Sequence, residues 1–162
     1  MIEKGFGVMR GLHSLEVARL MHNAALLIKE NDKEHKYDID PAECFFLGYN
    51  HDIGYQFTKG GKQHTVAGGK LLKKLNFKDW ESIAYRGNES MPYPNVNLFL
   101  LDYFDMHVNY DAGHVSFNKR IKDAKDQYSK NSYRVQLLKS IKNKIIKSQY
   151  YNELDSLLKT IL

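Results

Sequence analysis

Apolar residues recur at three- to four-residue spacing along almost the whole chain, and no segment sustains a period of two. Leu15, Ala18, Met21, Ala25 and Ile28 set this rhythm first and predict an amphipathic helix over about 12–30. A polar loop follows at 31–36. Asp40-Pro41-Ala42-Glu43 then carries three agreeing start signals: Asp40 as cap, Pro41 at the first helical position, and Glu43 to complete a capping box. This helix takes Cys44 to Leu47 inward and delivers His51-Asp52 at its end, with Gly54 as the expected stop. Residues 58–62 read as a loop. Helices are expected next at about 64–75, at about 80–86 behind Asp79, and at 96–108 behind Asn95. Two more are expected from Ser116 to about 129 and, as one long helix, from about 132 to 160. The pattern predicts an all-α fold, a compact helical bundle. It reads as a single domain over 1–162, with the polar motifs in about 10–108 and basic helices at about 116–162 packed on that core.

Composition narrows the class. With 162 residues the chain can bury a core without disulfides or a structural metal. Its 43% hydrophobic and 27% charged residues are those of an ordinary soluble protein. No apolar run approaches the roughly 18 residues that span a bilayer. Residues 1–5 lack the basic-then-apolar order of a secretion signal. Cys44 is the sole cysteine, so no internal disulfide can form, and its apolar neighbours make it a buried small hydrophobe. A cytoplasmic protein without membrane partners is expected.

Charge is uneven. Residues 1–118 carry 13 Lys+Arg against 15 Asp+Glu, whereas 119–162 carry 11 against 4. The basic C-terminal part raises the alternative of a nucleic-acid-associated protein, with Tyr128, Tyr133, Tyr150 and Tyr151 as candidate stacking groups. Its lysines alternate with apolar positions and form no compact run, which favours a solvated helix face instead.

The candidate chemistry lies in polar residues set among apolar ones. His51-Asp52 closes a strongly apolar helix, where burying an imidazole and a carboxylate without partners costs a few kcal/mol. Asp102 interrupts the apolar run 98–104, and His13 sits at the edge of the first helix's core face. Each alone has a bland structural reading. Together they form a set of nitrogen and oxygen donors suited to a metal ion.

The order of these segments resembles the HD-domain superfamily. It consists of His13-Ser14-Leu15-Glu16-Val17-Ala18, then Leu47-Gly48-Tyr49-Asn50-His51-Asp52-Ile53-Gly54, then His64-Thr65-Val66-Ala67-Gly68-Gly69, then Leu100-Leu101-Asp102. The resemblance covers about 10–108. It implies that His13, His51, Asp52 and Asp102 bind a divalent metal, one ion held tightly, whose identity among Fe, Mn, Ni, Co, Zn and Mg is left open. It also implies hydrolysis of a small phosphate ester, most often a nucleotide, with Asp52, His64 and Arg86 as the catalytic candidates.

Two departures stand out. Arg86 occupies the place where two-metal members carry a further histidine, and a guanidinium cannot ligate a metal. It can grip a phosphate instead. No carboxylate follows His51-Asp52 closely, and Asp105, at i+3 from Asp102, is the acidic residue that can face the same cavity. A catalytically weak metal- and nucleotide-binding module is therefore the alternative to a full hydrolase. His22, His35, His107 and His114 read as surface or structural residues, and Arg10, Lys62 and Gln63 neighbour the site in sequence alone.

Overall fold

A computed structural model describes residues 7–58 and 63–162. The expectations for the extreme N-terminus and for the loop around Lys62 lie outside the described residues. Among the described residues the chain forms eight α-helices and no strand. They are α1 (Val8–Asn31), α2 (Pro41–Asn50), α3 (His64–Lys74), α4 (Trp80–Ala84), α5 (Val96–His107), α6 (Phe117–Gln127), α7 (Tyr133–Lys147) and α8 (Gln149–Leu158). Short 3-10 turns at Ile53–Phe57 and Lys159–Ile161 complete them. The all-α expectation holds.

The starts follow the capping signals. Asp40 accepts the Glu43 N–H with Pro41 opening α2, Asn95 accepts the Leu98 N–H to open α5, and Ser116 accepts the Lys119 N–H to open α6. Asp79 behaves differently. It precedes α4 without capping it, and its carboxylate instead accepts from Ser82 Oγ and Asn97 Nδ2.

Helix α5 is the centre of the bundle. Leu98, Phe99, Leu100, Leu101, Tyr103 and Phe104 are all fully buried, as expected for a helix apolar on every side. α1 lies along α2 and also meets α5, while α7 closes over α5 from the C-terminal half. The buried face of α1, Val17, Ala18, Leu20, Met21, Ala24, Ala25 and Ile28, is wider than the expected stripe and shifted from it, since Leu15 is exposed.

Two boundaries differ from the sequence reading. The expected long C-terminal helix is two helices. Ser148 has extended backbone (φ −77°, ψ 149°) and caps α8 by accepting the Tyr151 N–H. The chain therefore turns there, and both halves fold back on the core. Gly54 is not the stop of α2, which ends at Asn50. Gly54 lies inside the following 3-10 turn, pressed on the first turn of α3. A Cβ at this position would come within 1.7 Å of the His64 carbonyl oxygen. The glycine is thus what lets the His51-Asp52 segment and His64 share one corner.

Candidate metal centre

His13 comes from α1 and His51 from the position just after α2; both are buried. Each ring is anchored through Nδ1 to a backbone carbonyl: His13 to Asn109 at 3.0 Å and His51 to Gly48 at 2.6 Å. A carbonyl only accepts, so Nδ1 carries the proton in both rings. In the neutral imidazoles both Nε2 atoms are then bare acceptors, and they face each other at 3.2 Å. Asp105 Oδ1 joins them at 3.0 Å from His13 Nε2 and 3.6 Å from His51 Nε2. Three lone-pair donors converge with no proton of their own to separate them. That geometry calls for a cation, and the three residues present one ligand atom each within 4.8 Å of one another. A mixed nitrogen and carboxylate set fits a divalent transition ion. The carbonyl contacts at Nδ1 are the supports that fix ring orientation in such sites.

Asp52 lies beside this group, with Oδ1 3.5 Å from His51 Nε2. Arg10 donates to its Oδ2 at 2.7 Å and Arg86 to its Oδ1 at 2.8 Å. Arg86 also donates to Asp105 Oδ2 at 2.6 Å and lies 2.6 Å from His64 Nε2. One guanidinium thus spans both carboxylates and a third imidazole, while its buried Nε–H has no hydrogen-bond partner. Tyr55 packs between the Arg10 guanidinium, 3.7 Å from its ring centre, and the His64 ring at 3.9 Å. Burial works to raise the carboxyl pKa of Asp52, but the Arg86 and Arg10 guanidiniums outweigh it and hold the group well below the usual range. Asp105 is likewise depressed against its burial, chiefly by Arg86.

The structure does not bring Asp102 to the two histidines. Its buried carboxylate accepts from the Gly87 N–H at 3.1 Å and the Tyr93 hydroxyl at 3.0 Å, with Lys144 Nζ 3.9 Å away. Burial dominates there and pushes the group up to about 6, against Lys144 and Arg86. Asp105, whose role the sequence left open, takes the place beside His13 and His51. Arg86 is not on α4 but in the turn after it. Gly87 follows in a left-handed conformation (φ 69°), which aims Arg86 at the carboxylates and the Gly87 N–H at Asp102.

The other histidines stand apart. His107 is buried against Tyr103 and Phe117 and bonds the Val115 carbonyl; His22 meets the ring of Phe45; exposed His114 ties Glu16 to the Leu162 carbonyl. Cys44 is buried, which raises its thiol to about 12. No described helix is long and apolar enough to cross a membrane.

No curated protein and no solved structure matches the chain. The model of the HD domain does, over residues 10–107, a span that holds His13, His51, Asp52, His64, Arg86 and Asp105. HD domains are typically metal-dependent phosphohydrolases that bind divalent ions. Helical architecture, the converging donors and this match agree: the chain belongs to the HD-domain family.

Proposed function

We propose that the protein hydrolyses a small phosphate ester, a nucleotide, with the help of one divalent metal ion held by His13, His51 and Asp105, with Asp52 beside them. The observation that carries this reading is the pair of bare Nε2 atoms facing each other beside a carboxylate. A divalent ion in that position supplies Lewis acidity, lowering the pKa of a water and polarising a phosphoryl oxygen.

The remaining work belongs to the chain's own side chains. Asp52, kept ionised by two arginines, is a carboxylate able to orient a water or take its proton. Arg86 places a buried positive charge beside the site, and its unpartnered Nε–H is a donor for a phosphate oxygen. His64 Nε2 faces Arg86, so its ring is held as an acceptor on the same wall. Arg10, stacked on Tyr55, is half-buried and reaches the rim, where a phosphate can meet it. One cation per chain is expected, because Arg86 already supplies the counter-charge between the two carboxylates.

Elemental analysis of the purified chain, paired with a hydrolysis screen over nucleoside mono-, di- and triphosphates, tests the proposal. About one tightly held transition ion per chain and metal-dependent release of phosphate are expected. Full metal content or full activity in His51→Ala would place the site elsewhere.

A further inference from the structure

A cavity of the described chain lies away from the metal centre. It is a cleft of about 660 Å³ between the 89–93 segment, the last turns of α7 and the start of α8. That volume suits a nucleotide-sized ligand. Its lining is polar and cationic: Lys144 and Lys147 stand one helical turn apart, with Ser140 and Asn143 beside them and Tyr93 and Tyr150 as aromatic walls. Glu89 is the one carboxylate of the lining, so the cleft carries excess positive charge. Lys147 is exposed and makes no ion pair among the described residues. Lys144 is only 8% exposed; its ammonium donates to the Asn88 carbonyl at 2.7 Å and sits 4.1 Å from the centre of the Tyr93 ring. Its nearest carboxylate oxygen, on Asp102, is 3.9 Å away, too far for a hydrogen bond. A buried ammonium with donors to spare, opening on a cavity, is short of an anion. The first turn of α8 carries no acidic residue that would repel one.

We propose that this cleft is a second ligand site, built for a small phosphate-bearing anion, and that its occupancy is transmitted to Arg86. The route is contiguous. Lys144 and the Tyr93 hydroxyl both face Asp102, Asp102 holds the Gly87 N–H, and Gly87 follows Arg86 in the chain. An anion that draws Lys144 toward the cleft takes positive charge away from Asp102, and the turn that aims Arg86 relaxes with it. The site itself does not rest on the metal-centre reading, since it shares no lining residue with that centre.

The test is a titration of the full chain, as purified, with methylenediphosphonate, a non-hydrolysable pyrophosphate analogue, followed by backbone amide shifts in NMR. Saturable shifts are expected at residues 143–150 and at Gly87. Lys147→Glu, at an exposed position, should weaken that binding at least tenfold while the dispersion of the remaining amide shifts stays that of the folded chain. Asp105→Ala should keep the cleft shifts while losing the metal, which separates this site from the metal-centre proposal. No saturable shift, shifts confined to the surroundings of His13 and His51, or cleft shifts insensitive to Lys147→Glu would each overturn the site. Cleft shifts with a silent Gly87 would overturn the coupling to Arg86.

Discussion

Asp102 and Asp105 are the same side chain on the same helix, less than one turn apart, and their surroundings drive them in opposite directions. Asp105 accepts from the Arg86 guanidinium at 2.6 Å and is held ionised far down the pH scale. Asp102 meets a backbone N–H and a tyrosine hydroxyl, with a lysine beyond bonding distance, and burial wins, to about 6. Asp102 is buried and Asp105 half-buried on the same core helix. What separates them is a guanidinium in bonding contact with Asp105, against a lysine 3.9 Å from the more deeply buried Asp102. Under the proposed function the two do different jobs: Asp105 serves the cation, while Asp102 holds the Gly87 N–H in the turn that carries Arg86.

The sharpest way to break this division is to remove each carboxylate in turn. Asp105→Ala should empty the metal centre and lower kcat/KM by more than about 100-fold, roughly 3 kcal/mol. Asp102→Asn should keep one ion per chain. Elemental analysis of both variants decides it; metal loss in Asp102→Asn with retention in Asp105→Ala would reverse the assignment.

The pH dependence of stability should show the two carboxylates with opposite signs. Asp102 binds its proton more tightly in the folded chain, at about 6 against an ordinary 3.8. Its contribution is therefore fully present below about pH 4 and is lost as pH rises through about 6, on the order of 3 kcal/mol. Asp52 and Asp105 are depressed, so their contribution is present above the ordinary carboxylate pKa and is lost as pH falls below it. Denaturant unfolding of wild type and Asp102→Asn between pH 4 and 7 should show the wild type losing stability relative to the variant as pH rises. Parallel curves would show that Asp102 titrates normally.

Arg86→Ala sharpens the comparison from the other side. Arg86 competes with any cation for Asp52 and Asp105, so its loss should tighten metal binding while lowering turnover by about 1.5–3 kcal/mol, roughly 10- to 100-fold. Metal titration and steady-state kinetics on one preparation would check both halves. Unchanged kinetics would make Arg86 a purely structural counter-ion. The smallest effect is expected of Tyr93→Phe, which removes one hydrogen bond to Asp102 and should cost about 1–3 kcal/mol of stability in thermal unfolding, with metal content intact. A metal-deficient variant would join the two regions that the comparison separates.

Much of this was legible in the sequence. The capped starts of α2, α5 and α6 follow from local chemistry at Asp40, Asn95 and Ser116, which tertiary packing leaves in place. The break at Ser148 was not, because serine sits acceptably inside a helix and lysines and apolar residues continue the period on both sides. At the site, His13 and His51 could be singled out as polar residues on apolar faces. The choice between Asp102 and Asp105 could not be made that way. A helical pattern gives the side a residue faces, and both aspartates lie on nearly one side. It says nothing about height along the axis, and the rise of about 4.5 Å between them decides which is level with the histidines. The role of Gly87 was hidden for a related reason: a continued helix through Arg86 and a left-handed turn after it look alike until α5 supplies the carboxylate that holds the turn.

Gly54 bears on how this protein tolerates change. It has no functional group and lies two residues from Asp52, yet any side chain there would drive into the backbone of His64. In a saturation library selected for function, position 54 should therefore reject alanine as firmly as position 52 rejects a lost carboxylate. A screen scored by residue chemistry would misread it as catalytic. Substitution at Leu12 or Leu15, exposed on the same helix as His13, should pass almost unnoticed. Robustness in this chain follows contact with the corner where α2, α3 and the 3-10 turn meet, rather than distance in sequence from the ligands.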